Sequence, residues 1–326
     1  MSSVPLIARI KPPALQPGDT VGIVAPASNV NPEQLEAGCA ALRDLGYKPF
    51  YFESILERDH YFAGSAVRRA RELEEMFVRD EVRAIICARG GYGSNYLLDI
   101  LDLKKIKAHP KIFVGYSDLT SLLTYFADSA GMITFHGPMV AKDFAHPGGV
   151  DPGSWERALH GSSEWTLELD SDVKSLAEGS TEGVLYGGCL SILVASLGTP
   201  YEIRTAGTIL FVEDIAAKPF QIDRMLMQLK LAGKLADVQG IVFGEMLDCT
   251  QNSSKDQGYT LEEIVLRIVG DLGVPVAYGL RSGHVSRRNV TLPFGVRAAL
   301  NVATSEVRLQ ILEAATASAV SSRSAG

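Results

Sequence analysis

Hydrophobic and polar positions along the first half of the chain switch repeatedly between two periods. Thr20 to Ala25 (T-V-G-I-V-A) is a β-branched apolar run ending at Pro26, the pattern of a strand buried on both faces. Helical spacing follows from about Pro32, with Asn31 placed to cap it and Gly46 placed to end it. Residues 48–52 (K-P-F-Y-F) read as a second strand, and Ser65 is placed to cap a helix beginning at Ala66. Val82 to Ala88 is a third strand, running into the glycine-rich R-G-G-Y-G and then a predicted helix over Asn95 to Leu101. Ile112 to Tyr116 is a fourth, passing into the helical run L-T-S-L-L-T-Y-F-A that Gly131 ends. Strands alternating with helices predict βαβ units and a parallel sheet.

The pattern changes over residues 141–182, where H-P-G-G, D-P-G-S, H-G-S-S and E-G-S-T are turn chemistry. Strand signals resume at about 183–187, 208–212, 239–243, 290–293 and 297–303. Helices are predicted over Pro219 to Ala232 and after Thr260, where T-L-E-E is a capping box from Thr260 to Glu263. The expected organisation is an N-terminal α/β domain over 1–160, a linker at 161–182 and a C-terminal domain over 183–313. The small, polar residues 314–326 are expected to form a disordered tail.

Composition narrows the function. A length of 326 residues favours two domains, and 46% hydrophobic with 21% charged residues is ordinary for a globular chain. A net charge of -7 argues against nucleic acid as a partner, and no polybasic run marks a membrane surface. The N-terminus lacks the three-part pattern of a signal peptide, and no apolar stretch reaches the length of a spanning helix. A cytoplasmic protein with no membrane partner is expected. The four cysteines (Cys39, Cys87, Cys189, Cys249) and six histidines are scattered, so neither a metal site nor a cofactor is expected.

Three segments carry candidate chemistry. In V-G-Y-S-D-L, Ser117 stands on a sharp turn between strand and helix, at the sheet edge where open α/β sheets bind ligands. The Asp118 N–H at the start of that helix is placed to stabilise an oxyanion. The turn resembles a nucleophile elbow but has Leu119 where G-x-S-x-G has its last glycine, and a serine there also reads as a helix cap. In I-L-F-V-E-D-I, a buried strand ends in Glu213 and Asp214, which face opposite sides and should not share a role; a solvated strand end is the other reading. In S-G-H-V-S-R-R-N, His284 follows Gly283 in a loop, where a histidine reaches a site or simply faces solvent. The order serine, acid, histidine is one in which hydrolase triads occur. R-G-G-Y-G fails as a dinucleotide fingerprint, because Tyr96 stands where the third glycine belongs. Its glycines allow close backbone approach to a substrate and a second oxyanion donor.

With these pieces in place, the chain resembles the LD-carboxypeptidase family of serine peptidases, which includes the microcin-immunity peptidases. The blocks run in order from G-D-T-V-G-I-V-A-P-A-S (Gly18 to Ser28) to V-T-L-P-F-G (Val290 to Gly295). Between them lie A-R-G-G-Y-G, V-G-Y-S-D-L, T-F-H-G-P-M, L-Y-G-G-C-L, F-V-E-D-I, Q-I-D-R-M-L-M-Q-L and G-H. The resemblance implies a Ser117–His284–Glu213 triad, with an oxyanion hole from the backbone N–H groups of Asp118 and Gly91. It implies a Rossmann-like parallel-sheet N-terminal domain with a smaller, β-rich mixed α/β C-terminal domain and the site in the cleft between. Its implied chemistry is metal-free hydrolysis of the amide between an L-configured centre and a terminal D-alanine in murein tetrapeptides. The expected partners are that murein peptide and, in a homodimer, a second copy of the chain. One departure stands out: relatives commonly read G-G-N-L where this chain has Gly187-Gly188-Cys189-Leu190, which puts substrate contacts in question.

Two other functions stay open at this level. A microcin-immunity peptidase cleaves an amide joining an acidic residue to a nucleotide-like moiety, and a non-catalytic binding module can share such a fold. An exopeptidase must read a free C-terminal carboxylate, for which arginine suits; Arg89 and Arg224 are the candidates.

Overall fold

The computed structural model describes residues 9–249 and 259–317. The first half contains β1 (Thr20–Val24), α1 (Pro32–Asp44), β2 (Lys48–Phe50), α2 (Ala66–Val78), β3 (Val82–Cys87), α3 (Leu103–Ala108), β4 (Ile112–Gly115), α4 (Thr120–Tyr125), β5 (Thr134–His136) and α5 (Pro152–Leu159). The second contains β6 (Trp165–Thr166), β7 (Lys174–Ala177), β8 (Gly179–Cys189), α6 (Leu190–Ala195), β9 (Thr208–Glu213), α7 (Pro219–Leu231), β10 (Gly240–Gly244), α8 (Leu261–Val269), β11 (Val276–Leu280), β12 (Leu292–Phe294), β13 (Arg297–Val302) and β14 (Val307–Ile311).

These strands form two sheets. The first has the order β12-β5-β4-β3-β1-β2, with β1 to β5 all parallel and β12 antiparallel on the β5 edge. The second has the order β6-β14-β13-β8-β9-β10-β11-β7, parallel from β8 to β11 and antiparallel at both flanks. The fold is therefore mixed α/β, with a parallel-sheet first domain and a second sheet domain.

Local chemistry sets the helix starts where the pattern predicts them. The Asn31 side chain accepts from Gln34 N at 3.0 Å and Pro32 occupies the first turn, where a missing N–H is harmless. Ser65 caps α2, and Thr260 exchanges bonds with Glu263 at the start of α8. The predicted helix over Asn95 to Leu101 is instead a single 3-10 turn at Ser94–Leu97, and α3 starts later at its cap Asp102. Ser94 is bonded to Asp118 by both its N–H and its hydroxyl, which holds this stretch against the neighbouring turn rather than along a helix axis.

The segment expected as a linker, 161–182, supplies β6, β7 and the start of β8 to the second sheet. The strand predicted near 290–293 exists as β12 but pairs with β5, far away in sequence. One apolar cluster joins the two sheets, containing Val114, Phe135 and Phe294 from the first with Leu185 and Phe211 from the second. Each such aromatic, fully buried, contributes about 1.5–3 kcal/mol. Residues of the expected tail are ordered as far as Ala317: Ala315 and Thr316 are buried, and Ala317 N donates to the Pro12 carbonyl. The remainder, 318–326, lies outside the described residues.

Candidate active site

All four residues of β4 are buried, and the chain leaves the sheet through Tyr116 into a 3-10 turn over Ser117–Leu119. Ser117 has φ +64°, the left-handed region that a residue with a Cβ enters at a cost of about 1–2 kcal/mol. Strain of this kind is retained where the surroundings over-determine it. Here Ser94 N donates to the Asp118 carboxylate at 2.8 Å, and Ser94 Oγ donates to the Asp118 carbonyl at 2.7 Å. Neither the turn nor α4 has a side-chain capping bond, so the capping reading of Ser117 has no hydrogen bond behind it.

The glycine-rich loop lies directly on this serine. A Cβ on Gly90 would stand 2.8 Å from Ser117 Cβ and 3.1 Å from its Oγ, so a side chain there would displace it. Gly91, exposed and at φ +108°, packs its missing side-chain position against Ser28, whose hydroxyl accepts from Tyr92 N at 3.1 Å. The backbone of Gly91 and that of Asp118 thus belong to the two segments that flank Ser117.

Glu213 ends β9, a strand buried at every position, and is itself 0% exposed. Its Oε2 accepts from His284 Nδ1 at 2.8 Å and from His284 N at 3.0 Å. Its Oε1 faces the Nε2 of buried His136 at 3.8 Å, too far for a hydrogen bond, and neither atom has another partner. His136 Nδ1 lies 2.9 Å from Ser282 Oγ, which donates to the Val290 carbonyl. Burial alone would raise the Glu213 carboxyl, but His284 and His136 outweigh it and hold it down at about 2. Burial pushes His284 down while the Glu213 charge pushes it up, and the net direction is up. Burial dominates at His136 and leaves it lowered.

Glycine is required beside this carboxylate. Gly283, at φ +92°, leaves room where a Cβ would stand 2.6 Å from Glu213 Cδ and 2.8 Å from His136 Cε1. Asn289 ties the same loop, accepting from Gly283 N and donating to its carbonyl.

The two halves meet through specific contacts. The Tyr116 ring packs edge-on against His284, with centroids 5.2 Å apart. Cys189 N donates to Thr120 Oγ1 at 3.0 Å, one turn beyond Ser117. Among the described residues, no hydrogen bond joins Ser117 itself to His284; such bonds are often long or misaligned before substrate binds. Asp214 points elsewhere, accepting from Ser191 N and Ile215 N. Arg89 is exposed and donates to the Asn29 carbonyl at 3.3 Å, while Arg224 lies over Phe220 of its own helix at 5.6 Å. Neither has a hydrogen bond or ion pair with Ser117, Glu213 or His284.

Two neighbours of the site, His136 and Cys189, are not among the expected site residues, although Cys189 stands out as a departure from the family block. His136 sits inside T-F-H-G-P-M without a distinguishing pattern. Cys189 reaches the Glu213–His284 pair from β8, and a ligand atom from each of Cys189, Glu213 and His284 lies within 4.8 Å of the others. The linear scatter of cysteines and histidines concealed that grouping.

Comparison with known proteins finds relatives over nearly the full length of the chain. Residues 21–137 match the LD-carboxypeptidase N-terminal domain, and residues 182–300 match the LD-carboxypeptidase C-terminal domain. The chain is 39% identical to the probable murein peptide carboxypeptidase of Bacillus subtilis, over 90% of this chain and 92% of that one. It is 30% identical to the microcin C7 self-immunity protein MccF of Escherichia coli, over 92% and 94%. A crystal structure of muramoyltetrapeptide carboxypeptidase from Oxalobacter formigenes superposes with a TM-score of 0.79 at 31% identity, covering 90% of this chain and 99% of that one. On these matches, this chain belongs to the LD-carboxypeptidase family.

Proposed function

We propose that the chain is a serine carboxypeptidase that hydrolyses the amide between an L-configured centre and the terminal D-alanine of murein tetrapeptides. The observation that carries the reading is the 2.8 Å bond from His284 Nδ1 to a fully buried, charged Glu213. It fixes the ring and leaves Nε2 as the nitrogen free to take a proton. Ser117 Oγ attacks the scissile carbonyl and gives its proton to His284. The N–H groups of Asp118 and Gly91 stabilise the oxyanion. His284 then protonates the departing D-alanine amine, and water, activated by the same histidine, hydrolyses the acyl-enzyme. Arg89 and Arg224 remain our candidates for reading the terminal carboxylate. We place the activity in the cytoplasm, in a homodimer that needs no metal. No helix among the described residues is long and apolar enough to cross a membrane.

A microcin-immunity activity is the second reading. Both tryptophans are buried, Trp155 at 3% and Trp165 at 7% exposure, so neither can stack on a nucleoside. What favours it is an exposed aromatic group beside the glycine-rich loop, formed by Tyr61, Tyr92 and Tyr96 around Phe62. The deciding experiment offers the purified chain a panel of muropeptides and acyl-sulfamoyl nucleosides and identifies products by mass. Release of D-alanine from tetrapeptide by wild type, absent in Ser117→Ala, supports the first reading. Cleavage of the nucleoside conjugate alone refutes it.

A further inference from the structure

We propose that Cys189, Glu213 and His284 form a zinc site that switches off the catalytic histidine. Thiolate, carboxylate and imidazole are all zinc donors, and one atom from each lies within 4.8 Å of the others. Around a tetrahedral zinc with bonds of about 2.0–2.3 Å, ligand atoms stand about 3.3–3.8 Å apart. Glu213 Oε2 and His284 Nδ1, now 2.8 Å apart, must therefore part slightly, while a sulfur at the 4.8 Å limit must draw in by about 1 Å, a movement that rotation of the short Cys189 side chain supplies.

Two features make the pocket receptive. Glu213 Oε1 is fully buried with no hydrogen-bond partner and faces only His136 Nε2, at 3.8 Å, so one carboxylate oxygen keeps unused acceptor capacity. The charges also balance: one zinc ion with one thiolate and one carboxylate is neutral, which suits a site from which water is largely excluded.

Binding is a proton exchange. Zinc displaces the thiol proton of Cys189 into solvent and takes the place of the proton now held between His284 Nδ1 and Glu213. That second proton moves to Nε2, so the histidine loses the lone pair it needs toward Ser117. Zinc is thus an inhibitor here and not a cofactor. The inhibitory half rests on the role proposed for His284, whereas the binding half does not.

The test uses the full chain, stripped with a chelator and dialysed. Cobalt(II) is titrated in and read by its thiolate charge-transfer band and tetrahedral visible absorption, and zinc is then added to chase it. The expected result is one cobalt per chain with the thiolate band, abolished by zinc. Cys189→Ser and Cys189→Ala should lose the band, with melting temperature confirming that they fold. In Cys189→Ser, half-inhibition of tetrapeptide cleavage should need about tenfold or more zinc. Cys249→Ser, a buried cysteine elsewhere, should keep the band. Absence of the band in wild type, or its persistence without Cys189, overturns the proposal. If the chain cleaves no tetrapeptide, the catalytic reading falls and the band still decides the site.

Discussion

Replacing Glu213 with glutamine keeps the side-chain shape and removes its charge, which tests what the carboxylate contributes to both folding and chemistry. Glu213 is 0% exposed, and the folded chain holds its carboxyl at about 2 against an ordinary 4.5. Between those values the folded chain binds fewer protons than the unfolded one. The stabilisation is therefore fully present above about pH 4.5 and is lost as pH falls through about 2. At about 1.4 kcal/mol per pH unit, the gap is worth about 3 kcal/mol at pH 7. Urea denaturation of wild type and Glu213→Gln should show that difference at neutral pH and its decline in acid. His284 supplies the kinetic counterpart. Its pKa is raised above 6.5 because the Glu213 charge outweighs burial, and a base must be neutral to act. The acid limb of kcat/KM should thus lie above pH 6.5 in wild type and move down in the variant, where only the weaker effect of Asp214 still opposes burial. Turnover should fall by about 10^4-fold, the effect of the equivalent amide substitution in a serine-protease triad. Equal stability at pH 7 together with an unmoved acid limb would refute the reasoning.

Three further outcomes are expected. Ser117→Ala should lower hydrolysis by about 10^4-fold or more while leaving the melting temperature nearly unchanged, since alanine inherits the same left-handed backbone. Gly283→Ala should cost about 2–5 kcal/mol and most of the activity, because the new Cβ meets Glu213 at a position with φ +92°; a normal denaturation midpoint contradicts this. Wild type should cleave a tetrapeptide acid and leave its C-terminal amide intact, and whichever of Arg89→Ala and Arg224→Ala loses that preference marks the carboxylate anchor; equal cleavage of acid and amide by wild type ends the idea.

Periodicity reports which residues are buried, and local caps report where helices start, so the alternation of the first half and the caps at Asn31, Ser65 and Thr260 were legible. Pairing partners are not local. Nothing around Leu292 says that it will sit opposite His136, so β12 read as part of the second domain. The edge strands β6 and β7 are short and lie among turn residues, which masked them. In the site, Ser117, Glu213 and His284 each had an ordinary local explanation, and their shared chain order with the family blocks set them apart. His136 and Cys189 also lie in family blocks, T-F-H-G-P-M and L-Y-G-G-C-L, but nothing there says that they meet Glu213. Their positions depend on how β5 and β8 dock beside β9, a packing outcome that no spacing along the chain encodes.

The placement of β12 has a consequence for biosynthesis. As the ribosome delivers the chain from its N-terminus, β1 to β5 can assemble early, but the outer edge of β5 stays bare until Leu292–Phe294 has emerged. An unpaired edge next to the apolar Val114 and Phe135 is a template for pairing with another nascent chain. Polysomes making this protein therefore carry a vulnerable interval covering residues 137–291. Its closure coincides with arrival of the histidine, because His284 leaves the ribosome just ahead of the strand that seals the sheet. A truncation that stops before β12 should leave an aggregation-prone fragment that lacks edge protection although it still carries His284.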